Sequence, residues 1–138
     1  FTSVVINAGG PYAVSIGEMV DIKIPIKPLR RQIFITAPFH LTGHPIPLTI
    51  DFHRGWYFRQ EGDGLLLSGP LDLEPSFNLN IDYEAMAEAS ENAMYRVPVL
   101  EKARIARGWA GLYEISPDHH AILGKVPEVG GFILANGL

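Results

Sequence analysis

The stretch from Pro47 to Gly69 limits the fold more than any other part of the chain. In PLTIDFH (47–53), Leu48, Ile50 and Phe52 share one face of a strand. In the next strand Trp56, Phe58 and Gln60 point opposite to Tyr57 and Arg59. Asp63-Gly64 offers a tight-turn pair, after which LLLSG (65–69) pairs back. Three neighbouring strands joined by short turns imply an antiparallel sheet.

The flanking sequence supplies further elements. TSVVINA (2–8) reads as a buried strand, apolar on both faces and ended by Gly9-Gly10-Pro11. Residues 12–20 suit a short helix, and Pro25 and Pro28 mark an extended crossing. LRRQIFIT (29–36) alternates like a half-buried strand, followed by a loop rich in Gly, Pro and His from Pro38 to Pro47. The clearest helix is 81–96, where Tyr83, Met86, Ala87, Ser90 and Met94 recur at the 3.6 spacing. Asn80 can cap it, Asp82 and Glu84 favour its first turn, and Pro98 stops it. Residues 103–114 read as a long strand and GGFILA (130–135) as a short buried one. The expected class is α+β: a mixed, mainly antiparallel sheet backed by one or two helices.

With 138 residues, 47% of them hydrophobic and 19% charged, the chain is globular and the size of one domain. Its formal charge of −4 disfavours nucleic acid, and Lys27-Pro-Leu-Arg30-Arg31 is too short a basic cluster to argue otherwise. No apolar run approaches the ~20 residues needed to span a bilayer. The chain has no cysteine, which excludes disulfides, thiolate nucleophiles, iron–sulfur ligation and a cysteinyl link to a cofactor. That suits a reducing cytoplasm. The sequence opens at Phe1 inside a strand pattern and stops at Asn136-Gly137-Leu138 just after another. We expect an internal piece of a longer protein, with strands at both ends that seek partners.

Several residues carry candidate chemistry. On the 103–114 strand, Arg107, Trp109, Gly111 and Tyr113 share one face, and Ala106, Gly108, Ala110 and Leu112 the other. The small second face would let the 81–96 helix pack closely. The first face leaves room for a flat ring over Gly111 between Trp109 and Tyr113; a twisted core strand with a bulge is the alternative. Asn7-Ala8-Gly9-Gly10, at a strand end, either opens backbone N–H groups to a ligand or is an ordinary strand-to-helix turn. Tyr57 and Arg59 suit a substrate carboxylate, or else form a solvated face. Ser116-Pro117-Asp118 reads as a turn, with Asp118 alternatively chemical. The adjacent His119 and His120 point to opposite faces, Gly43 and Pro45 argue against a helix that would join His40 to His44, and His53 stands alone. No metal site is expected.

Four stretches, VVINAGGPYA (4–13), GWYFRQEGDGLLLSG (55–69), RGWAGLYEISPDHHAILG (107–124) and GGFILANGL (130–138), occur in an order that resembles the FAD-dependent amino-acid and amine oxidoreductases. These include D-amino-acid oxidase, glycine oxidase, the sarcosine oxidases and dehydrogenases, and dye-linked proline dehydrogenase β subunits. The resemblance implies a substrate-binding domain at 21–128, with 1–20 and 129–138 belonging to an FAD domain whose GxGxxG unit this sequence lacks. It implies that Asn7, Ala8, Gly9, Gly10, Gly111 and Gly137 approach the cofactor, and that Tyr57, Arg59 and Tyr113 face the substrate. Gly111 stands near where monomeric sarcosine oxidases attach flavin through Cys, which implies non-covalent FAD. Tyr113 stands where glycine-oxidase-like members carry an Arg for the substrate carboxylate, which favours the sarcosine and proline branch. The implied reaction is hydride transfer from the carbon beside an amine nitrogen to the flavin. The implied partners are a small amine or amino acid, the rest of a parent chain and other oxidoreductase subunits. A stand-alone small-molecule or protein-binding domain is the alternative reading.

Overall fold

A computed structural model describes residues 1–44 and 46–138; Pro45, within the expected 38–47 loop, lies outside the described residues. The chain divides into two compact units. The first comprises Phe1–Leu29, Leu73–Phe77 and Leu112–Leu138, and the second Arg30–Asp72 and Asn78–Gly111. The architecture is α+β, as expected, with mainly antiparallel strands and two α-helices.

The eight strands are β1 (Val5–Asn7), β2 (Lys27–Thr36), β3 (Thr49–Asp51), β4 (Trp56–Glu61), β5 (Gly64–Leu71), β6 (Ile105–Ile115), β7 (Ile122–Lys125) and β8 (Phe132–Asn136). The helices are α1 (Ala13–Glu18) and α2 (Tyr83–Arg96). The larger sheet runs in the order β3-β4-β5-β2-β6. In the second unit, period two places Trp56 and Phe58 of β4 beside Leu65 and Leu67 of β5, where they pack with Ala93 and Leu100. The Trp56 and Phe58 rings stack at 5.3 Å. Burying each such side chain is worth roughly 1.5–3 kcal/mol.

The structure amends four sequence expectations here. The β4–β5 turn is Gly62-Asp63, since Glu61 pairs with Gly64 and Gly62 has φ +58. A positive φ at the first central position is what a type II′ hairpin requires, and glycine supplies it without strain. Second, β2 is buried along nearly its whole length, because β5 and β6 flank it. Third, α2 turns Ala85, Ala89 and Ala93 inward, leaving Tyr83 exposed and Met94 partly so. An alanine every fourth residue brings the helix backbone close to Phe34, which a stripe of Met and Tyr would hold off. Fourth, the residue capping α2 is Asp82, and its carboxylate does not cap the helix amides.

That carboxylate binds Arg30 instead. Arg30, only 7% exposed, places Nη2 2.5 Å from Asp82 Oδ2, Nε 2.8 Å from Asp72 Oδ2 and Nη1 2.7 Å from the Asn80 carbonyl. The Asp72 bond is the main cause holding the guanidinium pKa above its ordinary value. Gln32 Oε1 accepts the Asp82 backbone N–H at 2.7 Å. A buried cation needs this full set of acceptors, since desolvation without them costs several kcal/mol.

In the first unit, β8 lies between β1 and β7, parallel to β1 and antiparallel to β7. Ala13, Ile24 and Ile26 form its core with Leu134 and Ile122. The expected buried strand 2–8 is shorter, and Val4, Val5 and Ile6 are exposed while Asn7 is buried. The expected buried strand 130–135 is β8, enclosed fully at Phe132 and Asn136. β7 follows Pro117 too closely, and is too short, for periodicity to reveal it.

Candidate functional site

In the second unit, strand register sorts the sheet into two faces. Phe58 pairs with Leu67 and Leu67 with Phe34, so these share the face on which α2 packs. A Cβ added at Gly108 would lie 2.7 Å from Phe34 Cδ1, which puts Gly108 on that face too. The small face of β6 thus receives the Phe34 ring, with the helix alanines behind it. By alternation, Trp109 and Gly111 lie on the opposite face. Ile50 pairs with Tyr57, and Tyr57 and Arg59 point away from the Phe58 side, so they share this second face. A Cβ at Gly111 would have nothing within 4 Å. Among the described residues, the space beside Gly111 is open.

The polar groups of this face are partly engaged. Arg59 Nη2 lies 2.7 Å from Glu61 Oε2, two residues along on the same side. The guanidinium of Arg31 stands 5.1 Å from the Tyr57 ring centroid and donates from Nη2 to the Gly55 carbonyl at 2.8 Å. Ser68 Oγ accepts the Tyr57 backbone N–H at 2.8 Å. Arg31 is the residue that sequence reasoning missed; its signal lies in the pairing of β2 with β5 and of β5 with β4, not in its own segment.

The first unit holds a cavity of about 310 Å³ lined by Pro11, Tyr113, Glu114, Ser116, His119 and Gly137 among others. Of the Ser116-Pro117-Asp118 turn, Ser116 lines it. Ser116 is buried, and its hydroxyl lies 2.7 Å from the His120 carbonyl and 3.2 Å from Asp118 Oδ1. Asp118 Oδ1 also accepts the His120 backbone N–H at 3.1 Å. That bond first, then the Ser116 hydroxyl, lowers the Asp118 pKa. His119 adopts φ +59, and the chain reverses into β7. Gly137 has φ +72, and a Cβ there would lie 3.2 Å from the His120 carbonyl. Glu114 Oε1 accepts the Leu138 N–H at 3.4 Å, while its Oε2 and both amide atoms of the fully buried Asn136 lack partners among the described residues.

At the end of β1, Asn7 Nδ2 donates to the Ala13 carbonyl at 2.9 Å, and Asn7 Oδ1 accepts the Gly9 N–H at 3.1 Å. A Cβ at Gly9 would lie 2.4 Å from Ile16 Cδ1. These residues tie strand to helix, as an ordinary turn does, and the Asn7 carboxamide is already used. Ala8 is exposed, and Gly10 has φ +55 with open space at its Cβ. Among the described residues, no three His, Asp or Glu side chains cluster as metal ligands. No helix of the described residues is long and apolar enough to cross a membrane.

The fold is thus an α+β arrangement whose larger sheet is covered by a helix on one face and open around glycine and aromatic residues on the other. The chain belongs to the FAD dependent oxidoreductase family, whose model matches residues 1–138. It is 31% identical over 146 residues to mitochondrial sarcosine dehydrogenase of Homo sapiens, covering 99% of this chain and 16% of that protein. It is 33% identical over 133 residues to the hydrogen cyanide synthase subunit HcnC of Pseudomonas aeruginosa, covering 96% of this chain and 31% of that one. The crystal structure of L-proline dehydrogenase from P. horikoshii superposes with a TM-score of 0.87 at 32% identity, over 97% of this chain and 37% of that chain. The chain thus spans 16–37% of the length of these relatives.

Proposed function

We propose that this chain is the substrate-facing part of an FAD-dependent enzyme that oxidises an amine or amino-acid C–N bond. The observation that carries the reading is the α2-free face of the sheet in the second unit, where Tyr57, Arg59 and Arg31 share a surface with the uncovered Gly111. The residues present fit the cofactor. Gly111 leaves space where a flat ring could approach, and the unpartnered Asn136 amide calls for a further polar group; Gly137 is a cofactor neighbour by the resemblance alone. The flavin would supply the hydride acceptor, with no cysteinyl link to this chain, which has no cysteine.

The chain's own work is binding and orientation. In the second unit Tyr57 offers a hydroxyl to the substrate carboxylate and Arg59 and Arg31 supply positive charge; Tyr113, in the first unit, is a substrate-facing hydroxyl by the resemblance. Ala8, Gly9 and Gly10 approach the cofactor through their backbone. Asn7 acts indirectly by fixing that turn. In this reading 1–20 and 129–138 belong to the cofactor domain, which fits the parallel pairing of β1 with β8. The relatives named for sarcosine and proline favour a secondary amine as substrate. The name of HcnC as a subunit suits an enzyme working with other oxidoreductase subunits. A cytoplasmic setting fits the cysteine-free composition.

The test uses the flavoprotein carrying this chain. Tyr113→Phe should lower kcat/KM about tenfold, the loss of one hydrogen bond to a charged group. Arg59→Ala should raise KM, and neither should change flavin content. Unchanged steady-state kinetics in both variants would sink the assignment.

A further inference from the structure

We propose that the crevice between α1 and the start of β2 binds a small apolar α-amino acid, taken as its zwitterion. The inference does not depend on the oxidoreductase reading. The cavity, about 310 Å³, lies wholly within the first unit. That is the low end of small-molecule clefts, roughly 300–1,000 Å³, and suits a ligand of amino-acid size rather than a helix or strand. Its apolar wall is Val14, Ile26 and Phe77 with the rings of Pro11, Pro28 and Pro75. Proline lacks an N–H, so at those positions the wall offers no backbone donor. The 73–77 side of the cavity is anchored. The Ser76 N–H donates to the Pro28 carbonyl at 2.9 Å, and the Phe77 ring packs on Tyr12 with centroids 5.0 Å apart. Phe77 still stays 50% exposed, so it keeps apolar surface for a ligand to bury.

Two charges fix the ligand's chemistry. Glu18, the last residue of α1, and Lys27, the first of β2, both line the cavity. Neither side chain makes a hydrogen bond or ion pair among the described residues, with the other or with a third group. Opposite charges that share a cavity and leave each other unpaired suit a molecule carrying both signs. The Glu18 carboxylate would accept from the ligand's ammonium, and the Lys27 ammonium would donate to its carboxylate, each bond charge-assisted. A neutral peptide segment would answer neither charge, and a simple amine or carboxylic acid only one. An α-amino acid presents both on one carbon, and the wall of proline rings, Val14, Ile26 and Phe77 is left for its side chain.

The probe is L-leucine, with isocaproate and isoamylamine as analogues that lack its ammonium and its carboxylate respectively. In the flavoprotein carrying this chain, calorimetry should show a saturable leucine site, with each analogue bound about tenfold more weakly or worse. Glu18→Gln and Lys27→Gln should each raise the leucine Kd about tenfold, the loss of one charge-assisted bond. Val14→Trp should fill the cavity and abolish binding. Glu18 and Lys27 are exposed and Val14 half-buried, so folding should survive each change, as circular dichroism would verify. Tyr113→Phe and Arg59→Ala should leave the site intact, which separates it from the proposed substrate contacts. No saturable leucine binding up to about 1 mM overturns the proposal. So do equal affinities for leucine and either analogue, an unchanged Kd in both glutamine variants, or a site lost with Tyr113→Phe or Arg59→Ala.

Discussion

Gly108 and Gly111 are three residues apart on one strand and do opposite work. The space a Cβ would need at Gly108 is taken by Phe34 Cδ1 at 2.7 Å and the Ile33 carbonyl at 3.0 Å. Gly108→Ala should therefore lower stability by about 1–3 kcal/mol, seen as a shifted urea midpoint. At Gly111 nothing lies within 4 Å, so Gly111→Ala should leave the midpoint unchanged or slightly raised. If a planar cofactor lies against it, the same change should lower flavin content in the holoprotein. Retained flavin with full activity would count against the proposed approach. This division was legible in the sequence, because alternation is a property of extended backbone. Arg31 was not legible as a neighbour of Tyr57. Their contact depends on how β2, β5 and β4 align, and that alignment is fixed by pairings 11 to 37 residues apart such as Tyr57 with Ser68 and Arg31 with Ser68.

Among the elements, α2 shows why its existence was readable and its orientation was not. A 3.6 period fits both the Tyr83, Met86, Ser90, Met94 stripe and the Ala85, Ala89, Ala93 stripe. Hydrophobicity favours the first, but close packing on Phe34 selects the second. Ala89→Leu should cost about 1–3 kcal/mol by overpacking, whereas Tyr83→Ala should stay within about 0.5 kcal/mol. Chemical denaturation of the two variants distinguishes these faces. A second element-scale expectation concerns the β3–β4 connection. The Arg96 guanidinium, aided by the Arg54 and His53 amides, lowers the Asp51 pKa from 3.8 to about 2. A carboxylate depressed in the folded state stabilises fully above its unfolded pKa and loses that contribution as pH falls through the folded one. Asp51 should thus support the fold at pH 4 and above and cease to do so toward pH 2. Asp51→Asn should lower the melting temperature at neutral pH and narrow its gap to wild type across that acid window. A constant gap from neutral to strongly acid pH would show that the ion pair is not the source.

For the whole molecule, the pairing of β1 with β8 joins residues 5–7 to 132–134. No local pattern announces such a link, and the shortness of β1 and β7 hid how the first unit is assembled. What could be read were strands, turns and the order of four stretches, which was enough to place the chain among FAD-dependent oxidoreductases. The same whole-chain view bears on cofactor affinity. The resemblance assigns the pyrophosphate grip to a GxGxxG unit that this sequence does not contain. The Asn7 carboxamide, at the strand end nearest the expected cofactor, is held by Ala13 and Gly9. Under the proposed reading, what remains for the cofactor is the open space at Gly111 and a few backbone groups, with no GxGxxG loop in the sequence to gather helix amides on two phosphates. Titrating FAD with this 138-residue chain alone should therefore give no saturable fluorescence change at micromolar concentrations, a binding free energy weaker than about −8 kcal/mol. A sharp stoichiometric end point would mean that this chain grips the dinucleotide by itself, and the division of labour between binding the flavin and presenting the substrate would have to be redrawn.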